Sequence, residues 1–206
     1  MYGQTCILTG PSDVDLVVSQ SNYNDGANTN AGRVLSWKWN GTNQYVVLPT
    51  LVGGAGSRKM GRALDATYNS NKSALVIAAG HMDYSSNKGV VSVKWLDSDA
   101  TWTSVGSDVY SRNPWDRLGG TVRLSNEGVS LVASSKSESG DAVSTGHVNV
   151  YRILSGTWMV VGFVVGKALA DRLGFALAAS DNRVASVEDA AYVVSRRIAP
   201  IANKSF

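Results

Sequence analysis

The feature that most constrains this chain is an internal repeat. The segment Asp116-Arg117-Leu118-Gly119 returns 55 residues later as Asp171-Arg172-Leu173-Gly174, and a short apolar run ending in serine follows each copy. A period of this length is typical of folds in which one small structural unit recurs along the chain. The architecture therefore depends on how one unit folds and on how neighbouring units pack.

Two further sequence features recur with nearly the same period. A glycine that precedes alternating apolar residues stands at Gly32, Gly89 and Gly146, and an aromatic residue follows at a matched distance at Tyr45, Trp102 and Trp158. Because the aromatic position recurs, we expect Trp102 and Trp158 to pack between neighbouring units. The repeats are predicted to span 3–60, 61–118 and 119–173, with a shortened copy at 174–206.

Each copy contains strand-like pieces rich in Val and Thr. In the third copy they are predicted at Thr121–Ser125, Ser130–Ser134, His147–Ile153 and Thr157–Val165. Helical spacing is nowhere sustained. Four antiparallel strands per copy predict an all-β fold, a β-propeller of about four blades, because one small sheet buries both faces only when neighbours stack on it. The fourth copy is one strand short, so either the blades close as a small ring or a partner completes the arc.

The order of motifs resembles a known class of repeats. D-R-L-G, an apolar strand ending in serine, G-x-V-x-V-Y and W-x-x-x-G together resemble the FG-GAP repeats of the integrin α-type β-propeller, over nearly the whole chain. The first copy departs from this pattern, with Arg58-Lys59-Met60-Gly61 in place of D-R-L-G and Pro49 in place of a glycine. The resemblance implies that each copy forms one propeller blade.

Integrin-type repeats often hold calcium between their first two strands, where several closely spaced oxygens are needed. In this chain those loops are poor in carboxylates, and only Asp13 and Asp15 offer a weak calcium site. We therefore expect no cofactor and no resident metal.

Charge and composition exclude several classes of partner. The chain has 19 Lys and Arg against 16 Asp and Glu, a net charge of +3, and each repeat is nearly neutral. Without a basic block, we expect no binding of nucleic acid. No run approaches the roughly 20 apolar residues of a membrane helix, so no membrane insertion is expected. The single cysteine, Cys6, excludes an internal disulfide. The compartment stays undecided.

Catalytic motifs are not found in the sequence. Only His81 and His147 are present, and neither a G-x-S-x-G segment nor an H-x-x-x-H pair occurs. We therefore expect that the chain is not an enzyme. A motif present once per repeat generally serves the fold, so a structural role is assigned to Asp116, Arg117, Gly119, Asp171, Arg172 and Gly174.

Function is expected from residues that do not repeat. In a propeller, the connections between second and third strands emerge on the same face as the connections between blades, and we call this the loop face. In this chain the loop face is expected to carry aromatic residues beside amides and carboxylates. Such a combination of side chains suits the binding of a sugar or a polar peptide. The candidate binding residues are Tyr23, Asn24, Asp25, His81, Asp83, Tyr84, Trp115, Glu138 and Asp141. The sequence thus predicts a non-catalytic binding or assembly module for protein or glycan. The alternatives are a propeller hydrolase that acts on polysaccharide or glycan from the central channel, and a structural subunit of a homo-oligomer or larger assembly.

Overall fold

The computed structural model shows an all-β chain. It describes residues 5–9, 15–26, 28–54, 59–97, 99–135, 145–167, 172–180, 183–187 and 193–197. The strands are β1 (Cys6–Thr9), β2 (Asp15–Gln20), β3 (Arg33–Trp39), β4 (Tyr45–Val47), β5 (Leu51–Val52), β6 (Ala63–Asn69), β7 (Ala74–His81), β8 (Val90–Leu96), β9 (Trp102–Ser104), β10 (Val109–Tyr110), β11 (Leu118–Leu124), β12 (Ser130–Ser135), β13 (His147–Leu154), β14 (Thr157–Val165), β15 (Ala176–Ser180), β16 (Arg183–Val187) and β17 (Val193–Arg197). One short helical turn, α1, covers Tyr84–Asn87, and a 3-10 turn covers Asn126–Gly128. Within the described ranges, no helix has the length and apolar character needed to cross a membrane.

The strands form antiparallel sheets in chain order. The first sheet runs β1-β2-β3-β4 with β5 beside β3, and the second runs β6-β7-β8 with β9 and β10 both beside β8. The third sheet runs β11-β12-β13-β14, and the fourth is β15-β16-β17. Each sheet coincides with one predicted repeat, and the four strands predicted in the third copy match β11 to β14 closely. The prediction of an all-β chain is confirmed.

The sheets stack face to face, each on the next one in the chain. Side chains along β7 alternate between the two neighbours: Leu75 and Ile77 pack towards the first sheet, whereas Val76 and Ala78 pack towards the third. A third cluster, around Leu173 and Leu177, joins the third sheet to the fourth. No core cluster of the described residues joins the first sheet to the fourth. Since each core consists of two sheet faces, no sheet could bury its apolar residues alone.

The repeated glycine before each third strand has a packing reason. Gly32, Gly89 and Gly146 all have positive φ, and a Cβ on any of them would lie within 2.5 Å of backbone atoms of Met60, Leu118 or Leu173 respectively. Those three residues donate backbone N–H groups to Ala31, Lys88 and Thr145. In each of the first three sheets, the segment that leaves the sheet therefore passes the start of that sheet's third strand before the next sheet begins. This explains why the glycine and the D-R-L-G position recur together.

The acidic residue of the repeated motif holds a turn. Asp116 is buried and accepts the backbone N–H of Asn113 at 3.3 Å and the hydroxyl of Ser111. Arg117, next in the motif, takes the left-handed conformation at φ 55° and donates its N–H to the carbonyl of Asn87. The matching Asp171 lies outside the described residues.

The repeated tryptophans join one sheet to the one before it. Trp102 donates its indole N–H to the carbonyl of Pro49, and Trp158 donates to the carbonyl of Val105, both at 2.7 Å. Trp158 also belongs to the buried cluster between the second and third sheets. The ring and the polar N–H therefore both serve the contact between sheets.

Trp158→Phe is expected to lower the free energy of unfolding by about 2 kcal/mol, because it keeps an aromatic ring but leaves the Val105 carbonyl without its partner at a partly buried interface. Urea denaturation measures the change. Trp115→Phe is the matched control, because Trp115 is 56% exposed and the change should stay within about 0.5 kcal/mol. Equal losses in the two variants would contradict this role for Trp158.

Candidate functional site

The connecting loops of the first two sheets lie next to each other. Lys59 stands in the segment between these sheets, and its ammonium group forms an ion pair with Asp83 at 2.7 Å. The backbone N–H of Lys59 donates to the carbonyl of Asn30 in the preceding loop. One residue therefore links the connection between β2 and β3 to the connection between β7 and β8.

The three candidate residues of the first loop are held by local contacts. The guanidinium of Arg33 lies 4.1 Å from the centre of the Tyr23 ring. Asn24 accepts the backbone N–H of Asn30 at 2.8 Å, and Asp25 exchanges backbone hydrogen bonds with Asn28. The loop therefore presents an aromatic ring, a cation and amide groups in a fixed arrangement.

The aromatic residues of the second loop approach the segment between the second and third sheets. The rings of Tyr84 and Tyr110 lie 5.8 Å apart. Trp115 follows in the same segment and is exposed at the surface with φ 70°. The Arg117 N–H bonds to Asn87, so this segment runs along the loop that carries Tyr84. Tyr84 and Trp115 thus lie on the same side of the molecule, whereas Glu138 and Asp141 lie outside the described residues.

The side chain of His81 is not on the loop face, where the sequence predicted it. It ends β7, its side chain is only 3% exposed, and both ring nitrogens are without a hydrogen-bond partner in the described part of the chain. Burial, reinforced by the positive charge of Lys94, lowers its pKa from 6.5 to about 4. His81 is therefore a neutral, buried residue and does not present its side chain to a ligand at the surface. Sequence reasoning missed this because the neighbouring sheet covers the end of the strand.

A cleft of about 530 Å³ opens between the second and third sheets, and we call it the β10–β14 cleft. One wall is the segment that connects the two sheets, and the other consists of β13 and β14 of the third sheet. The principal side chains of the connecting wall are Asp108, Tyr110, Arg112, Asn113 and Asp116. Those of the strand wall are His147, Asn149, Tyr151, Trp158, Val160, Phe163 and Val165. Tyr110 therefore belongs both to the cleft and to the aromatic pair with Tyr84.

Both tyrosines of the cleft keep their protons at neutral pH. Burial raises the pKa of Tyr151, although a hydrogen bond from Asn149 at 3.2 Å and the nearby charge of Arg112 act in the opposite direction. Partial burial also raises the pKa of Tyr110, with further contributions from Asp108 and Tyr84. The cleft thus offers phenol hydroxyls, carboxylates, an amide and a guanidinium beside the apolar side chains of β14.

The sequence pointed to only part of this site. Trp115 and the loop around it stood out because they do not repeat, but Asp108, Asn149 and Tyr151 did not. Asn149 and Tyr151 lie on β13, whereas Asp108 lies in the segment between the second and third sheets, so only the packing of the third sheet on the second brings them to one cleft. Within the repeat, Asn149 and Tyr151 of β13 correspond to Ser92 and Lys94 of β8 in the second sheet. A polar residue recurs at both positions although its identity changes. This recurrence is the sequence signal that could have identified Asn149 and Tyr151.

The calcium hypothesis concerns a different part of the molecule. Asp15 is buried, and its carboxylate accepts the backbone N–H of Trp39 at 3.1 Å. Asp13 lies outside the described residues. No group of three or more potential metal ligands occurs among the described side chains. Calcium at Asp13 and Asp15 stays a prediction.

The comparisons with known proteins give no family. The chain matches no protein-family model and no curated protein.

Proposed function

We propose that this chain is a non-catalytic β-propeller-type module of the FG-GAP-like kind, which binds a glycan in the β10–β14 cleft and on the adjoining loop face. The observation that carries the proposal is the position of Tyr110, which lines the cleft and also contacts Tyr84 of the loop face. Through it, the cleft and the loop face form one continuous surface.

The chemistry of this surface supports a sugar ligand. Aromatic rings offer flat apolar area to a sugar ring, and the groups around Tyr110 can exchange hydrogen bonds with hydroxyls. Asp108 and Asn149 supply acceptors, and Arg112 supplies donors. A polar peptide would use the same groups, so it is the alternative ligand within the same proposal.

The arrangement of the sheets supports the propeller. The first strands of successive sheets contact one another, since β1 packs on β6, β6 on β11 and β11 on β15. In a propeller, the first strand of each blade lies nearest the central channel, and blades follow one another in chain order. The repeated contacts of Trp102 and Trp158 with the preceding sheet are typical of such stacking.

A glycan array probed with labelled protein tests the binding proposal. We expect the wild-type chain to label a subset of oligosaccharides, and the double variant Tyr110→Ala with Arg112→Ala to lose at least about nine-tenths of that signal, which corresponds to about 1.4 kcal/mol or more. Phe175→Ala is the control, because Phe175 is similarly exposed but does not line the cleft. Undiminished labelling by the folded double variant would overturn the cleft as the site. No labelling by the wild-type chain would exclude glycan as the ligand class.

Hydrolysis of a bound glycan is the second candidate function, and the presence of Asp108 and Asp116 in one cleft favours it. Glycosidases commonly use two carboxyl groups, one as an acid and one as a base or nucleophile. Against this role, Asp116 already accepts hydrogen bonds from Ser111 and Asn113. Release of reducing ends from any oligosaccharide that binds, abolished by Asp108→Asn, would favour the enzyme over the binding module.

A further inference from the structure

A second cavity lies between the second and third sheets, and we call it the Trp95 pocket. Its volume of about 300 Å³ is at the lower end of the range for ligand sites. It shares no lining residue with the β10–β14 cleft. The two spaces meet at one contact, since Trp158 of the cleft donates its indole N–H to the carbonyl of Val105 in the pocket. The apolar side chains that line the pocket are Val76, Trp95, Val105, Val129 and Ile153.

The preceding junction contains the same gap. Between the first and second sheets its volume is about 190 Å³. Three pairs of residues line the two gaps at matching positions of the repeat: Leu48 and Val105, Leu75 and Val129, and Leu96 and Ile153. Leu96 and Ile153, for example, each pair with the repeated tryptophan of the next strand. The existence of the gap therefore follows from the repeat.

Two positions give the gaps opposite chemistry. Asp15 and Lys38 line the first gap, whereas Val76 and Trp95 line the second. Lys38 and Trp95 each stand six residues after the repeated glycine. Sheet packing accepts either a charged or an aromatic residue at this position, so the fold does not require the apolar lining of the Trp95 pocket. Side chains that differ between copies are those in which a function can reside.

The rim of the Trp95 pocket is fixed by contacts between the two sheets. Glu127 of the 3-10 turn accepts the backbone N–H of Ser70 at 2.9 Å and the Ser70 hydroxyl at 2.6 Å. The side chain of Asn69 donates to the carbonyl of Glu127 at 2.7 Å. The turn after β6 and the turn after β11 are therefore held together, so a ligand would not have to order them on binding.

One residue of the rim supplies a positive charge. The ammonium group of Lys72 lies 4.0 Å from the centre of the Trp95 ring. No carboxylate of the described residues forms an ion pair with it. Both carboxylate oxygens of Glu127, the acidic residue of the rim, already accept from Ser70. An ammonium above an aromatic face keeps N–H donors for an acceptor, so the rim offers a cation beside an apolar cavity.

We propose that the Trp95 pocket binds a small amphipathic carboxylate, a molecule with the character of a medium-chain fatty acid. The apolar chain lies against Trp95, Val105 and Ile153, where its burial removes apolar surface from water. The carboxylate accepts hydrogen bonds from the Lys72 ammonium, and a charged pair of this kind is stronger than a neutral one. A neutral chain lacks this contact, and a cationic chain meets the ammonium as a like charge.

Three probes of equal chain length test the proposal by calorimetric titration of the full chain. We expect octanoate to bind about tenfold more tightly than 1-octanol, and octylammonium to bind more weakly than either. Octanol binding as tightly as octanoate would overturn the proposal, because the cation would then contribute nothing. Tighter binding of octylammonium would overturn it in favour of a site for cations at Glu127. No saturable heat with millimolar octanoate would exclude this class of ligand.

A charge substitution places the head group. Lys72→Gln should weaken octanoate binding by about tenfold and leave octanol binding unchanged, so the preference for the anion disappears. Lys38→Gln is the matched control, because it removes an exposed ammonium that lines the gap of the preceding junction. A preference that survives Lys72→Gln, or one that Lys38→Gln abolishes, would contradict the assignment.

A larger side chain places the apolar body. Val129 lines the pocket and is 40% exposed, so Val129→Trp should fill the cavity and abolish octanoate binding. Leu154→Trp is the control, since Leu154 is 46% exposed and does not line the pocket. Undiminished binding by the folded Val129→Trp variant would overturn the pocket as the site. The measurements on Lys72→Gln decide the proposal even if Val129→Trp fails to fold, because Lys72 is exposed. None of these results depends on glycan binding in the cleft, so this inference and the proposed function can fail separately.

Discussion

Gly89→Ala is expected to lower the free energy of unfolding by about 4 kcal/mol and the melting temperature by about 10 °C. Gly89 has φ +83°, a conformation that costs energy for any residue with a Cβ. A Cβ there would also lie 2.2 Å from the carbonyl oxygen of Leu118. That backbone is fixed, because Leu118 donates its N–H to the carbonyl of Lys88. Thermal and urea denaturation measure the loss.

A second glycine of the chain provides a control that separates the backbone strain of positive φ from the steric clash with Leu118. Gly41 has φ +84°, nearly the same value, but no atom lies within 4 Å of the place where its Cβ would be. Gly41→Ala should therefore cost only the conformational strain, about 1 kcal/mol. If the two substitutions cost the same, the close approach of Leu118 to Gly89 would contribute nothing to stability, and the packing reason given for the repeated glycine would be wrong.

Acid is expected to destabilise the protein through His81, by about 3 kcal/mol between pH 6.5 and pH 4. In the folded state the pKa of His81 is lowered to about 4 because burial disfavours the charged ring, with Lys94 adding to the effect. In the unfolded chain the ring takes up a proton near pH 6.5. Between these values the unfolded state binds more protons, so stability is full above pH 6.5 and is lost as the pH falls towards 4.

The measurement is urea denaturation at a series of pH values in that window. His81→Gln should remove most of this pH dependence, whatever its effect on stability at neutral pH. Glutamine is a suitable replacement because Gln20 occupies the corresponding position in the first sheet. His147→Gln, which replaces the only other histidine, should leave the dependence on His81 in place. Equal slopes for the two variants would show that His81 does not carry the acid sensitivity.

Much of the fold could be predicted because the contacts between neighbouring sheets require the same residue types in each copy of the repeat. Gly32, Gly89 and Gly146 are required where backbone approaches backbone, and the requirement recurs in the first three sheets. The indole of Trp158 was expected between neighbouring units for the same reason, and it lies there. Features of this kind are visible in a sequence because a local geometric need selects the same residue type each time.

The candidate site was predictable only where residues break the pattern. Tyr23, Tyr84 and Trp115 were recognised because they stand alone in their loops, and the structure places them on connecting segments. Burial of His81 could not be read from its neighbours in sequence, since it depends on which side chains the adjoining sheet brings to the end of β7. The same holds for Leu8 and Val47 of the first sheet, which are apolar yet more than half exposed.

By itself, the sequence determined the repeating unit of this protein, which is a small antiparallel sheet with alternating apolar residues. A glycine precedes the third strand of the unit, and an aromatic residue in the fourth strand packs against the neighbouring unit. Only the tertiary structure decided which described faces are covered, that a polar cleft lies between the second and third sheets, and that Leu8, Tyr45 and Val47 of the first sheet are exposed. The physical reason is that alternation specifies two faces for every strand, whereas burial is a property of a pair of surfaces, and the second member of each pair lies some 55 residues away in the sequence.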